Sequence, residues 1–281
     1  MSFGNLLAEE FHKLTKGSFG TEIELFVNLK DAFIVLGDKY QGLVQIIHGR
    51  SSFVDFNYYH DYISTITDPE IKTCELGDML FIIYSKKKKT TRLMYMQNKK
   101  GTDSWSFKAD IFQLFLLKHK PELLSVDLPG CVFNNKDILK NSRFHSITSY
   151  GIFYTKGNFI EMSYFPASCV SLNKKTGKSK ARKAKYLLNK SILVSSTSES
   201  LYEQNIKDFG DSLYDMKIGE IIENSEDLKN IENYLKKHSK IWNEQLEIPE
   251  KNISNFKSSG YPTVCIINAD YHISDINIFT V

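Results

Sequence analysis

The run Met79-Leu80-Phe81-Ile82-Ile83-Tyr84 constrains this chain more than any other stretch. Gly77-Asp78 precedes it, and Ser85 with four consecutive lysines follows it. Six apolar residues are too few to cross a membrane as a helix, and they leave no polar face for a surface helix. The run reads as a β-strand covered on both faces. A polar turn, Ser85 to Thr91, leads into a second apolar strand, Leu93-Met94-Tyr95-Met96. A doubly covered sheet needs layers on both sides, and the chain has the material for them. Its 281 residues, 42% hydrophobic and 25% charged, have ordinary globular proportions. A chain of that size buries roughly 75% of its unfolded surface. Collagen-like, coiled-coil and wholly disordered chains are excluded.

Helical spacing elsewhere supplies the covering layers. Asn5 to Lys16 carries Leu6, Leu7, Phe11 and Leu14 on one face, with Gly17 as a stop. Thr21-x-x-Glu24 has the form of a capping box and opens a second helix running to Leu36. Leu43–Ile47 and Ser52–Phe56 read as short strands around a turn at His48-Gly49-Arg50. After the second apolar strand, Ser104 begins a helix burying Phe107, Ile111, Leu114 and Phe115, closed by Pro121. Strands are expected at Ile152–Tyr154 and Phe159–Tyr164, a helix at Ser225–Lys240, and a terminal strand pair at Val264–Ile267 and Ile276–Phe279. Strand, hairpin, strand and helix in that order predict an α/β or α+β fold, a mixed central sheet flanked by helices. The expected division is a core over 1–170, a basic loop or linker over 171–190, and a C-terminal α+β extension over 191–281 that stands apart or completes the same domain.

Lys and Arg exceed Asp and Glu only by 36 to 33, so affinity for a polyanion must come from local clusters. From Asn173 to Lys190 there are eight bases (Lys174, Lys175, Lys178, Lys180, Arg182, Lys183, Lys185, Lys190) and no acid. From Glu199 to Glu232 ten acids face three bases. Four widely separated cysteines, with no Cys-x-x-Cys pair, read as reduced thiols and not as a zinc site. The segment MSFGNLLAEEFHKL lacks the apolar run of a signal peptide, so a cytoplasmic protein with no membrane association is expected. Glycine-rich phosphate loops and nucleophile elbows are absent, which argues against nucleotide-driven motors, dinucleotide oxidoreductases and triad hydrolases.

The chemistry concentrates at one end of the hairpin. Asp78 stands at the entry to the first apolar strand, after Glu75-Leu76-Gly77, while Gln97 and Lys99 stand at the exit of the second. Gln97 and Lys99 share a face because strand side chains alternate. Antiparallel pairing places Asp78 opposite Gln97 or Asn98, with Cβ atoms roughly 5 Å apart across the strands. An acid, an amide and an ammonium therefore gather at the rim of an apolar sheet, where an unpaired charge is costly. A divalent cation compensates such a charge, since carboxylate, amide and backbone carbonyl oxygens are hard ligands suited to Mg²⁺.

The order Asp78, Gln97, Lys99, followed by a helix, resembles the PD-(D/E)xK, or restriction-endonuclease-like, nuclease superfamily in its Gln-x-Lys form. The resemblance spans roughly residues 1–165. It implies a Mg²⁺-dependent endonuclease, with Mn²⁺ as a substitute, that hydrolyses DNA phosphodiester bonds, as in restriction or phage defence. Asp78, Gln97 and Lys99 would be catalytic. The metal would be held by Asp78, Gln97 and the carbonyl of Asn98, with Glu75 and a helical glutamate (Glu9, Glu10, Glu22 or Glu24, with Glu24 favoured) as supporting ligands. Gln97 is not acidic and Gly77 replaces the usual proline, two departures from the pattern. Such nucleases often act as homodimers. DNA would contact Lys100 and the cluster Lys174, Lys175, Lys178, Lys180, Arg182, Lys183 and Lys185. Lysine-rich clusters suit phosphate contact over base reading. Lys86–Lys89 lies at the far end of the hairpin and reads as a solvated turn. The alternative reading is a catalytically inactive nuclease-fold subunit that binds DNA or another protein.

Overall fold

The computed structural model describes residues 1–17, 20–40, 43–46, 53–59, 69–104, 106–126, 137–172, 181–186, 204–238 and 263–270. In chain order these form α1 (Phe3–Leu14), α2 (Glu22–Tyr40), β1 (Leu43–Ile46), β2 (Phe53–Tyr58), β3 (Glu70–Glu75), β4 (Met79–Ser85), β5 (Thr90–Asp103) and β6 (Ser106–Asp110). Then come α3 (Ile111–His119), β7 (Leu123–Val126), β8 (Thr148–Lys156), β9 (Phe159–Pro166), β10 (Val170–Leu172) and β11 (Ala181–Tyr186). The remainder is β12 (Gln204–Asn205), α4 (Ile206–Tyr214), β13 (Glu220–Ile221), α5 (Ser225–His238) and β14 (Thr263–Asn268).

Every residue of β4 is buried, as its apolar run requires. It pairs antiparallel with β5, Met79 opposite Met96, and parallel with β14, Met79 opposite Thr263. The main sheet runs β1-β14-β4-β5-β6-β11-β10, and β8 joins β5 in parallel, carrying β9 and β12 beyond it. The fold is thus α+β with a mixed sheet between helices, as expected. Alternation along β4 and β5 splits the core in two. Met79, Phe81, Ile83, Met94 and Met96 face α1, α2 and α4, whereas Leu80, Ile82, Leu93 and Tyr95 face α3, α5 and the three-stranded sheet β3-β2-β7. Burying each such side chain contributes about 1.5–3 kcal/mol.

Helices α1 and α4 approach closely because glycine stands at both contact points. A Cβ on Gly4 would run into the backbone carbonyl of Lys207, and one on Gly210 would lie 2.8 Å from the Gly4 Cα. Residues 204–238 and 263–270 therefore complete the same core: α4 covers one face, and β14 lies inside the sheet between β1 and β4.

Three expectations need correction. Ser104 does not begin a helix: Ser106–Asp110 is β6, with Phe107 and Ala109 buried and Lys108 exposed, a period of two. Helix α3 starts at Ile111 because the Asp110 carboxylate accepts from the amides of Phe112 and Gln113. The second apolar strand continues past Met96 to Asp103. Within the basic stretch 171–190, Ala181–Tyr186 is a strand paired with β6 and β10, not a linker. The turn at His48–Arg50 and the strand at Ile276–Phe279 lie outside the described residues. Among the described residues no helix is long and apolar enough to cross a membrane.

Candidate active site

The β4–β5 register fixes what the hairpin brings together. Met79 opposite Met96 makes Asp78 and Gln97 the next pair, at the rim where both strands leave the apolar core. Gly77 lets the chain reach that rim, because a Cβ there would lie 3.1 Å from the Met96 carbonyl oxygen.

Asp78 Oδ2 accepts two hydrogen bonds, from Gln97 Nε2 and from the Asn98 backbone N–H, both at 2.6 Å. Neither Asp78 oxygen has another hydrogen bond among the described residues, which leaves Oδ1 available. The residue retains some accessible surface, but protein surrounds the carboxyl group itself. Burial raises its pKa, and the nearby Glu22 carboxylate adds to the rise. Lys99, the Asn98 amide and the Gln97 amide oppose it. In an extended strand the N–H and C=O of one residue point the same way. The Asn98 carbonyl accordingly lies on the Asp78 side of β5.

Lys99 Nζ lies 3.1 Å from Glu22 Oε1, and the other Glu22 oxygen accepts from the Lys100 N–H at 3.0 Å. Glu22 opens α2, so the helical carboxylate reaching the rim is Glu22 and not Glu24. Glu24 instead closes the capping box: its carboxylate accepts from Thr21 N–H at 2.6 Å while Thr21 Oγ1 accepts from Glu24 N–H at 3.3 Å. The Thr21-x-x-Glu24 signal that located the helix start also showed that Glu24 was engaged there. The Lys99 side chain is 16% exposed and that of Glu22 42%, so the rim meets solvent on the α2 side.

Glu75 is placed differently. It ends β3 opposite the exposed Phe53, on the outer face of the small sheet, and its backbone carbonyl points to the rim. That carbonyl accepts from Gln113 Nε2 at 3.3 Å, and the same nitrogen donates to Gln97 Oε1 at 2.5 Å. Gln97 therefore presents its amide nitrogen, not its oxygen, to Asp78. Gln113 was not among the residues foreseen. It already lay within the helix expected before Pro121, but nothing in the sequence set it apart there.

Beneath the rim, Tyr150 on β8 stands beside Gln97 in register and is fully buried. Its hydroxyl has no hydrogen-bond partner among the described residues. Burial raises its pKa, as do Asp110, Asp78 and Cys74. Burial likewise pushes the Cys74 thiol up to about 12, so neither group is a nucleophile near neutral pH. The Asn98 side-chain amide, on the opposite face of β5, is also buried without a partner among the described residues.

The basic clusters divide. Lys100 Nζ donates to the Gly20 carbonyl at 2.6 Å from an exposed position. Arg92 is buried, donating to Gly219 O and stacking on Phe144, so it adds nothing to the exposed basic surface. Along β11, Arg182, Lys183 and Lys185 pair with Ala109, Lys108 and Ser106. Lys174, Lys175, Lys178 and Lys180 lie outside the described residues. Lys86–Lys89 forms the tight turn at the far end of the hairpin, where Asp270 accepts from the Lys86 and Lys87 amides. Among the described residues no three His, Cys, Asp or Glu side chains converge as a metal-binding group. Comparison of the chain with protein-family models, with curated proteins and with solved structures returns no match.

Proposed function

We propose that this protein is a Mg²⁺-dependent nuclease of the restriction-endonuclease-like kind, acting on DNA phosphodiester bonds. The observation that carries the reading is the meeting of Asp78, Asn98, Lys99 and Glu22 at one partly open rim of the β4–β5 hairpin. The donor set fits a hard divalent cation. Asp78 Oδ1 and the Asn98 carbonyl are oxygen ligands, and Glu22 adds a second negative charge beside them. A cation there would relieve the cost of burying Asp78 near another carboxylate. When bound, it supplies Lewis-acid polarisation of the phosphate and a lowered pKa for water.

The remaining steps belong to the chain's own residues. Gln97 and the Asn98 N–H fix the Asp78 carboxylate by donating to Oδ2. Lys99, held by Glu22, orients the attacking water and stabilises negative charge growing on the phosphate. Lys108, exposed on β6, would attract the DNA backbone without reading sequence.

Incubation of plasmid with the protein and Mn²⁺ or Mg²⁺, against an EDTA control, tests the reading. Nicking that EDTA stops supports it. A salt-sensitive gel shift with no nicking under either metal supports a binding subunit instead.

A further inference from the structure

We propose that Gln113 is a positioning residue that sets the orientation of Gln97. It turns the Gln97 amide nitrogen toward Asp78 and holds its carbonyl oxygen away from the cation position. This deepens the nuclease reading and rests on it for the role of the site. The orientation itself stands on hydrogen-bond chemistry alone.

The chain of contacts runs Glu75 carbonyl, Gln113, Gln97, Asp78. Both ends have a fixed sense. A backbone carbonyl only accepts, and an ionised carboxylate only accepts. Gln113 must therefore present Nε2 to Glu75. The same Nε2 reaches Gln97 Oε1, so Gln97 is left with Nε2 for Asp78. Turning Gln97 over would bring two amide nitrogens together at Gln113 and two oxygens together at Asp78. Gln97 is 2% exposed and Gln113 8%, so water is poorly placed to repair such a mismatch. Gln97 thus acts as a donor that steadies Asp78, and a bound cation would take its oxygens from Asp78 and the Asn98 carbonyl. An amide at this position is then more than a carboxylate lacking its charge: a glutamate has no N–H to give Asp78.

The test reads the Gln97 side-chain amide directly by NMR, its resonance assigned by loss in Gln97→Met. In the wild-type protein one Gln97 amide proton should be shifted downfield and protected from exchange. In Gln113→Leu that protection should fall at least about tenfold, as the amide loses the contact that orients it. Equal protection in both proteins, or none in the wild type, overturns the proposal. The wild-type spectrum alone suffices for the second outcome if Gln113→Leu fails to fold. Mn²⁺ titration calorimetry adds a second arm. Freed to rotate, Gln97 offers its oxygen in Gln113→Leu, so Mn²⁺ should bind at least about threefold tighter, and unchanged or weaker binding counts against the proposal. Mn²⁺ heat absent from every variant defeats the cation reading, while the amide spectrum still decides the orientation.

Discussion

Lys99 Nζ and Glu22 Oε1 lie 3.1 Å apart and join the second half of β5 to the first turn of α2. The pair lies at the edge of the rim that Asp78 occupies, with the ammonium less exposed than the carboxylate. On the nuclease reading proposed above, it keeps a charged nitrogen where the phosphate would arrive.

Replacing Lys99 with alanine should lower cleavage by roughly 10²–10³-fold, the scale for losing one preorganised electrostatic contact. Filter retention of DNA should stay close to wild type, because one lysine adds little to a many-phosphate contact. Parallel loss of cutting and retention would mean that Lys99 only holds backbone.

Glu22 and Glu24 should separate cleanly although two residues apart. Glu22→Gln should weaken Mn²⁺ binding measured by calorimetry and change the denaturation midpoint little, since the Glu22 end of the pair is exposed and such ion pairs contribute about 0–1 kcal/mol. Glu24→Ala should cost about 1 kcal/mol of stability through loss of the capping box and leave the Mn²⁺ isotherm unchanged. The reverse pattern would return the helical ligand to Glu24.

Gly4→Ala should destabilise the protein by about 1–3 kcal/mol in urea denaturation, because the new methyl group meets the Lys207 carbonyl and forces α1 and α4 apart. A neutral result would mean that the two helices slide without cost.

Asp270 should govern an acid-sensitive part of the stability. The Ser85 hydroxyl and the Lys86 and Lys87 amides hold its carboxylate below the ordinary pKa despite partial burial. A depressed carboxylate contributes fully above its unfolded value, and the contribution disappears as pH falls through the folded value. Asp270→Asn should therefore lower the melting temperature near neutral pH, and the gap to wild type should close in acid. A gap independent of pH would point to packing instead of charge.

The parts of the fold legible in the sequence were those with strong local signals. The six apolar residues of β4 had one reading, and the antiparallel turn after them left the Asp78–Gln97 pairing to a choice between two registers. Helix α2 announced its own cap. Two elements escaped because their partners are remote. In Ser106–Asp110, Phe107 lies four residues before Ile111, so a strand followed by a capped helix mimics one longer helical stripe. The alternation of Phe107 and Ala109 becomes visible only beside β5 and β11. In Ala181–Tyr186, charged and small residues give no hydrophobic pattern, and the strand exists through its pairing with β6. Choosing Glu22 over Glu24 likewise required knowing where α2 lies against β5. Gln113 carried no signal, since a glutamine on an apolar helix is ordinary until the carbonyl of Glu75 and the amide of Gln97 stand on either side of it.

The place of β14 between β1 and β4 has a consequence for biosynthesis. A ribosome delivers β4 roughly 180 residues before the strand that lies parallel to it. Until residues 263–268 emerge, the most apolar segment of the nascent polypeptide keeps one hydrogen-bonding edge open, a template for mispairing with neighbouring chains. Maturation of this protein should accordingly depend on holding chaperones more than its size alone would require, and truncation before Thr263 should yield aggregates instead of a smaller folded unit.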